Sequence, residues 1–141
     1  MENLYSINFV EKPEQLVWGI IGRGISSYNE QQAGDDGSQR ICFAVQGSEQ
    51  EVVGGIVAAI YWDWLYIDLM WVREDLRGQG YGSRLLTIAE EEARRRGAKH
   101  AFLDTFSFQA PEFYKKHGYR VFGELPNFPQ GHTRYYFIKD L

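Results

Sequence analysis

The sequence predicts an α/β (α+β) domain with a mixed, mostly antiparallel central sheet of six to seven strands that is flanked by helices. Three apolar segments, residues 41–45, 52–61 and 65–72, follow one another with only short turns between them, which is typical of an antiparallel meander. Helical and strand-like segments then alternate on either side of a glycine-rich turn at residues 77–82. The length of 141 residues fits one domain, residues 1–141.

The first third of the chain begins with a loosely alternating segment, residues 5–10, which we expect to form the first strand. Pro13 is placed to open a helix toward Tyr28, because proline is favoured in a first turn and apolar side chains follow at helical spacing. The helix contains three glycines, Gly19, Gly22 and Gly24, each of which weakens it by about 1 kcal/mol relative to alanine. We therefore expect close packing there or a break near Gly24, and then a loop at residues 33–38.

After the meander, a helix is predicted over residues 82–96, because its apolar residues fall on one face and Gly97 stands just beyond its end. The other predicted elements are a strand at residues 101–104, a helix at 110–117, and strands at 119–125 and 134–138. The predicted order of elements is therefore β-α-β-β-β-α-β-α-β-β.

The glycine-rich turn joins the fourth predicted strand to the following helix and reads Arg-Gly-Gln-Gly-Tyr-Gly. Such a turn leaves backbone N–H groups uncovered at the positive end of a helix dipole, where they suit phosphate oxygens. Gly78, Gly80 and Gly82 alternate, and no Lys-Ser or Lys-Thr pair follows. This spacing fits neither the dinucleotide fingerprint nor the P-loop, so it predicts a phosphate-bearing ligand of another kind.

Composition and charge limit the classes of partner. The net charge is −4, and the basic run at residues 94–96 follows Glu90, Glu91 and Glu92 by one helical turn, which indicates ion pairs on a solvated face. We therefore expect no nucleic-acid partner. No apolar run approaches the ~20 residues of a membrane span, so no membrane contact is expected. The single cysteine, Cys42, excludes an intrachain disulfide and is expected to be a buried structural thiol in a cytoplasmic protein.

Two motifs on these elements carry a resemblance to a known family. Arg77-x-x-Gly80-x-Gly82 has the form [RQ]-x-x-G-x-[GA], and residues 110–119 read Ala-Pro-Glu-Phe-Tyr-Lys-Lys-His-Gly-Tyr. They resemble the acetyl-CoA pyrophosphate loop and the late A-x-x-F-Y-x-K-x-G-[FY] segment of the GNAT superfamily of N-acetyltransferases. The order of elements is also that of the GNAT fold, with the second of its usual early helices absent or reduced to a turn.

The resemblance implies a sheet that splays between its fourth and fifth predicted strands, with the pantetheine arm of acetyl-CoA between them. The residues that match the pantetheine-binding stretch are Met70, Trp71 and Val72. Those that match the diphosphate loop are Arg77, Gly78, Gln79, Gly80, Tyr81, Gly82 and Ser83. An alternative for Arg77 is a surface arginine that closes the turn. Ser107 stands where many relatives carry an asparagine that binds the pantetheine arm, and a serine could make one such bond or could cap the next helix instead.

Amine acetylation needs a group that takes a proton from the amine, because an alkylammonium with a pKa of ~10.4 is almost entirely protonated at pH 7. It also benefits from hydrogen-bond donors at the acetyl oxygen and from an acid beside the departing thiolate. Tyr114 matches the tyrosine that the family directs at the CoA sulfur as general acid. A pKa of ~10 would keep its hydroxyl protonated at pH 7, and simple packing of the ring is the alternative.

The general base is predicted less directly. Strand alternation places Asp68 on one face with Tyr66, Met70 and Val72, and the family often has a carboxylate on this strand. Asp68 is therefore the candidate base, and burial beside Trp64 or Tyr66 would raise the pKa of its carboxyl into a useful range. The alternatives are an ordinary strand aspartate, an anchor for the substrate ammonium, Asp104 as the base, or a chain of water molecules.

The residues predicted to border the acceptor are Trp64, Tyr66, Asp104 and His132. Core packing is the alternative for the aromatic residues, and a turn histidine is the alternative for His132. The histidines show no metal-ligand spacing, so no metal is expected. We expect an acetyl-CoA-dependent enzyme that acetylates a primary amine, small molecule or peptide, directly in a ternary complex. A non-catalytic acyl-CoA-binding regulatory module is the alternative. The sequence does not identify the acceptor. It also does not decide whether acyl groups other than acetyl are used, or whether the late strands form a homodimer.

Overall fold

The computed structural model describes residues 4–141, which divide into two compact units, residues 4–36 and residues 37–141. In the first unit, residues 5–10 form no regular secondary structure, so the predicted first strand is wrong. A 3₁₀ turn at Pro13–Gln15 precedes helix α1, Val17–Ala33, which ends at Gly34 with φ of 81°. The helix continues through Gly24 without a break, and a Cβ at Gly22 or Gly24 would meet no atom within 4 Å, so neither the break nor close packing at these two glycines is present.

The second unit contains a six-stranded sheet in the order β1-β2-β3-β4-β6-β5. Its strands are β1 Gln39–Gln46, β2 Val52–Tyr61, β3 Trp64–Val72, β4 His100–Phe106, β5 Arg120–Pro126 and β6 Thr133–Asp140. Every neighbouring pair is antiparallel except β3 and β4, which are parallel. The mixed, mostly antiparallel sheet is confirmed, and the predicted strands of this unit are present with small shifts at their ends.

Two helices of the second unit connect the strands. Helix α2, Tyr81–Arg95, follows β3 through a 3₁₀ turn at Glu74–Leu76, and helix α3, Pro111–Lys116, lies between β4 and β5. The buried face of α2 packs against apolar residues from the inner strands. The cluster includes Leu85, Leu86, Ala89 and Ala93 with Ile56, Ile60, Leu65, Leu103 and Phe137. Burial of this stripe fixes α2 across the sheet, so the glycine turn lies at a defined edge.

The sheet opens between β3 and β4, the fourth and fifth predicted strands. Their parallel pairing ends at Ile67 and Leu103, whereas β3 continues to Val72 and β4 to Phe106. Beyond this point β4 remains paired with β6 and β3 remains paired with β2. The edge of β3 that faces β4 therefore has no strand partner over residues 68–72 within the described residues, which confirms the predicted splay.

A β-bulge at Asp68 changes which side chains of β3 share a face. Val57 of β2 pairs with Leu69 and the next residue, Ala58, pairs with Ile67, so Asp68 is the extra residue. The bulge reverses the alternation: Met70 and Val72 join the side of the buried cluster instead of the face of Tyr66. The prediction that these residues share a face with Asp68 is therefore wrong, because strict alternation does not account for an inserted residue.

Candidate active site

A cleft of about 800 Å³ occupies the opening between β3 and β4. It runs along the unpaired part of β3, reaches Arg77 of the glycine turn, and is bordered by α3 through Tyr114. Met70, Trp71 and Val72 line it as well. The cleft thus brings together the predicted pantetheine stretch, one loop residue and the predicted acid.

The glycine loop adopts a conformation that favours glycine at two positions. Gly78 and Gly80 have φ of 77° and 88°, in the left-handed region where a side chain is strained. Gly80 is the N-cap of α2, no side chain caps this helix, and its first turn contains no acidic residue. Backbone N–H groups at this helix start therefore lack a side-chain acceptor, and the positive end of the dipole is not neutralised. This arrangement fits a diphosphate.

The side chains of the glycine loop point to different places: two bond to backbone carbonyls, and two line another cavity. Arg77 Nε donates to the Val72 carbonyl at 2.9 Å, so this arginine closes the turn, and its other guanidinium nitrogens make no hydrogen bond within the described residues. Gln79 Nε2 donates to the Asp75 carbonyl at 3.1 Å. Ser83 and Tyr81 line a second cavity, of about 550 Å³, between β1 and α2. The alternative role of Arg77 is therefore present in the structure, and its terminal nitrogens remain available to an anion.

Tyr114 is the buried residue of α3, with 7% of its surface exposed. Its ring contacts those of Phe113, Tyr119 and Phe137 at centroid distances of 5.1, 6.0 and 6.1 Å. The hydroxyl makes no hydrogen bond to another described residue. Burial raises its pKa to about 12, above the predicted ~10. Tyr114 therefore remains protonated at neutral pH and can donate a hydrogen bond into the cleft.

The raised pKa of Tyr114 predicts a loss of stability in alkali. Unfolded tyrosine ionises near pH 10, whereas folded Tyr114 ionises near pH 12, so the folded state holds more protons between these values. This stabilisation is complete below pH 10 and declines as the pH rises. We expect urea denaturation to show that the free energy of unfolding falls between pH 8 and pH 11 in both proteins. The fall should be about 1.4 kcal/mol smaller in Tyr114→Phe than in the wild type. Equal losses in the two proteins would contradict the shift.

The end of the cleft remote from the glycine loop, which we call the carboxylate end, contains Tyr66, Asp68, Asp104, Phe106, Phe108 and Arg134. Asp68 is exposed, so the expected burial beside Trp64 or Tyr66 is wrong; the bulge places it at the surface of the cleft. The Tyr66 ring stacks on that of Phe102 at 4.8 Å. Burial, followed by the negative charges of Asp104 and Asp68, raises the pKa of Tyr66.

Asp104 is held by Arg134 of β6. Arg134 Nε and Nη2 both donate to Asp104 Oδ1, at 2.9 and 2.7 Å, while Oδ2 receives no hydrogen bond from the described residues. The Asp104 side chain is only 18% exposed. Three aromatic rings surround the guanidinium, those of Phe106, Phe128 and Tyr136 at 5.3, 5.0 and 5.5 Å. Because Arg134 occupies one carboxylate oxygen, Asp104 is better suited to anchor a cation with its other oxygen than to accept a proton.

Apart from the loop residues 78–83, three predicted site residues lie outside the cleft lining. Trp64 stacks on His100 at 4.6 Å, and His132 contacts the Phe108 ring edge-on at 4.9 Å. Ser107 Oγ accepts the Thr133 amide hydrogen at 3.0 Å, and Ala110 is the N-cap of α3, so the capping alternative for Ser107 is wrong. The binding roles of these residues remain predictions.

Nine of the cleft's lining residues are absent from the prediction made from sequence, and Arg134 and Gln109 are among them. Gln109 Oε1 accepts from Thr105 Oγ1 at 3.0 Å and from the Phe106 amide at 2.9 Å, which fixes the end of β4. Arg134 begins an alternating strand beside the already flagged His132, and its pairing with a carboxylate on β4 could have been found only from the strand order. Cys42 is exposed, which corrects the expected burial.

No helix within residues 4–141 is long and apolar enough to cross a membrane. In the same residues, no group of three or more histidine, cysteine, aspartate or glutamate side chains is arranged to hold a metal ion.

A parallel pair that splits beside an uncapped glycine loop is the arrangement expected of acyltransferases that use a thioester carrier. The Acetyltransferase (GNAT) family model matches residues 2–119, and the chain belongs to this family. A relative, the blasticidin-S acetyltransferase of Streptomyces morookaense, is 42% identical over 96 residues, 67% of this chain and 71% of that protein. The chain is accordingly an N-acetyltransferase.

Solved structures agree with this assignment. An acetyltransferase from Bacillus cereus superposes with a TM-score of 0.81 at 34% identity, and the match covers 97% of each chain. An aminoglycoside 6'-N-acetyltransferase complexed with coenzyme A has a TM-score of 0.62 at 21% identity, over 92% of this chain and 86% of that one. The second likeness shows the fold alone.

Proposed function

We propose that the protein transfers an acetyl group from acetyl-CoA directly to the amino group of a small cationic molecule. The observation that carries this proposal is a single cleft that begins at the glycine loop with Arg77, passes Tyr114 and ends at two carboxylates, Asp68 and Asp104. A coenzyme extending from the loop along β3 would present its thioester between an acid and a negatively charged acceptor site.

The predicted coenzyme contacts are consistent with the backbone. The diphosphate is assigned to the amides at the start of α2, where Gly80 leaves the N-cap without a side chain. The pantetheine amides are assigned to the unpaired edge of β3 at Met70, Trp71 and Val72. Strand-like pairing there would satisfy backbone groups that β4 leaves without a partner.

The reaction then requires one bond to form and one to break. The neutral amine attacks the acetyl carbonyl carbon, its nitrogen gains a bond to that carbon, and the carbon–sulfur bond breaks. Asp68 accepts the amine proton, directly or through water, because it is exposed in the cleft and has no hydrogen-bonding partner among the described residues. Tyr114 donates a hydrogen bond to the departing sulfur. Its pKa of about 12 lies above that of a thiol, ~8.5, so stabilisation of the thiolate is favoured over complete proton transfer.

The charges of the carboxylate end favour an acceptor with more than one positive group. Two carboxylates oppose one guanidinium there, and Asp104 Oδ2 remains free for an ammonium or guanidinium. The rings of Phe106 and Phe108 stack with their centroids 5.2 Å apart and an interplanar angle of 4°. They offer an apolar wall beside these charges. Because the relative with 42% identity is a blasticidin-S acetyltransferase, blasticidin S is the first acceptor to test.

The first experiment measures binding and turnover in parallel. We expect acetyl-CoA and desulfo-CoA, but not NAD or ATP, to raise the melting temperature, since a ligand at 100 times its Kd adds about 2.7 kcal/mol of stability. Release of free thiol should then accompany incubation with acetyl-CoA and blasticidin S. Among simple amines of equal length, those with two positive charges should have the higher kcat/KM.

The outcomes separate the competing functions. Stabilisation by coenzyme A without thiol release on any amine would favour the regulatory acyl-CoA-binding module. An equal shift with NAD or ATP would contradict the assignment of the loop. Equal kcat/KM for singly and doubly charged amines would remove the proposed acceptor class while leaving the transfer reaction intact.

A further inference from the structure

A largely buried ionic cluster lies outside the lining of the cleft and takes no part in the chemistry proposed above. It consists of Glu90 on α2, Tyr119 immediately before β5 and Lys139 on β6, and we call these three residues the Glu90 cluster. Glu90 is 5% exposed. Tyr119 Oη donates to Glu90 Oε2 at 2.7 Å, and Lys139 Nζ donates to both carboxylate oxygens at 3.0 and 3.1 Å. Lys139 Nζ also lies 5.3 Å from the centroid of the Tyr119 ring.

Stability alone does not account for such a cluster. Removing two charges from water is costly, and well-packed apolar side chains often serve equally well in a core. The Glu90 carboxylate nevertheless has a donor on each oxygen, and Tyr119 is held as a protonated donor because burial and its bond to Glu90 raise its pKa. A fully satisfied cluster of this kind fixes one geometry, so the question is which element it holds.

The element it holds is α3. The Tyr119 amide donates to the Tyr114 carbonyl at 3.0 Å, and the two tyrosine rings meet edge-on with centroids 6.0 Å apart. Helix α3 has only six residues, too few for stability by itself, so tertiary contacts set its position. Tyr119 therefore contacts both partners. Its hydroxyl is hydrogen-bonded to Glu90, its backbone amide is hydrogen-bonded to Tyr114, and its ring packs against the Tyr114 ring.

The other end of the same connection is the coenzyme loop. Glu90 belongs to α2, whose first turn is the proposed diphosphate site, so the cluster ties that helix to the helix of the acid. The Phe113 ring of α3 also lies close to the first turn of α2, since a Cβ added at Gly82 would be 3.5 Å from it. Thioester chemistry is sensitive to placement of the acid on the scale of an ångström.

We propose that Glu90 is a positioning residue: through Tyr119, it sets the place of Tyr114 relative to coenzyme bound at the N-terminus of α2. This inference rests on the proposed role of Tyr114, but it also predicts a property of Tyr114 that needs no acceptor. Loss of the Glu90–Tyr119 bond should change the surroundings of the Tyr114 ring in the free protein.

The test uses Tyr119→Phe and Glu90→Gln, with Glu91→Gln, the exposed neighbour on α2, as the matched control. Tyr119→Phe keeps the ring and the Glu90–Lys139 pair, so we expect it to fold even if Glu90→Gln does not. Carbon-13 labelling of the tyrosine Cζ, with the Tyr114 resonance assigned from Tyr114→Phe, should show that resonance displaced in both test variants and unchanged in the control. The ionisation of the Tyr114 hydroxyl, followed by this resonance, should begin at a lower pH in the test variants than in the wild type.

Turnover gives the second readout. We expect each test variant to lower kcat about tenfold or more with little change in the KM for acetyl-CoA, and to have no further effect in a Tyr114→Phe background. If the test substitutions lowered kcat by the same factor in the wild-type protein and in Tyr114→Phe, the inference would be overturned. A general structural role of Glu90 would lower kcat in both proteins. An unchanged Tyr114 resonance would overturn it whatever the turnover, and that readout alone decides if no amine is acetylated.

Discussion

Tyr114→Phe is expected to lower kcat about 100-fold while leaving the affinity for acetyl-CoA within twofold of the wild-type value. The substitution removes a single oxygen atom from a side chain whose ring packs against Phe113, Tyr119 and Phe137, so the packing is retained. The lost hydroxyl is the donor assigned to the departing sulfur. Because its hydrogen bond strengthens only as negative charge develops on sulfur, the loss falls on kcat and not on ground-state binding.

The measurement is thiol release at saturating acetyl-CoA, together with calorimetric titration of coenzyme A. Tyr135→Phe is a suitable control, since Tyr135 is a half-buried tyrosine of β6 that does not line the cleft. It should retain wild-type turnover. An unchanged kcat in Tyr114→Phe would remove this residue from the reaction. A comparable fall in coenzyme affinity would instead assign Tyr114 to binding.

The prediction from sequence succeeds where the signal is local. The glycine loop, α2 and the meander depend on turn residues, helical spacing and runs of apolar residues within short segments, and each is present in the structure. The prediction of a strand at residues 5–10 is wrong because a strand is not specified by a local signal alone. A strand depends on a partner for its backbone hydrogen bonds, and loose alternation alone does not specify one.

The chemistry of the cleft shows the same limit. The bulge at Asp68 arises from the register of β3 against β2, two segments that in sequence are nearly continuous apolar runs and carry no mark of a bulge. Its effect is large, since it exposes Asp68 and turns Met70 toward the core. Arg134 and Asp104 are 30 positions apart and meet because β6 lies beside β4 in the sheet. Such pairs become visible only with the strand order, whereas Tyr114 was marked by a contiguous motif.

The glycine loop offers the second large effect, through a pair of substitutions that differ only in charge. At Gly80, φ is 88°, which strains any side chain, but a Cβ would meet no atom within 4 Å, and asparagine and aspartate adopt positive φ more readily than most residues. We therefore expect Gly80→Asn and Gly80→Asp to have melting temperatures similar to each other and not far below that of the wild type.

Their affinities for acetyl-CoA should differ widely. Both side chains compete with phosphate oxygens for the free amides, but aspartate adds a negative charge where the diphosphate would lie. At about 5 Å and an effective dielectric constant of about 20, one pair of like charges costs about 3 kcal/mol, which corresponds to a factor of about 100 in Kd. Calorimetry at low ionic strength should thus give a Kd at least 100-fold larger for Gly80→Asp than for Gly80→Asn. The ratio should decrease as salt is added, because screening reduces the repulsion. Equal values for the two variants would mean that the diphosphate does not bind at the start of α2, and the coenzyme would then have to enter the cleft by a route that does not involve the loop.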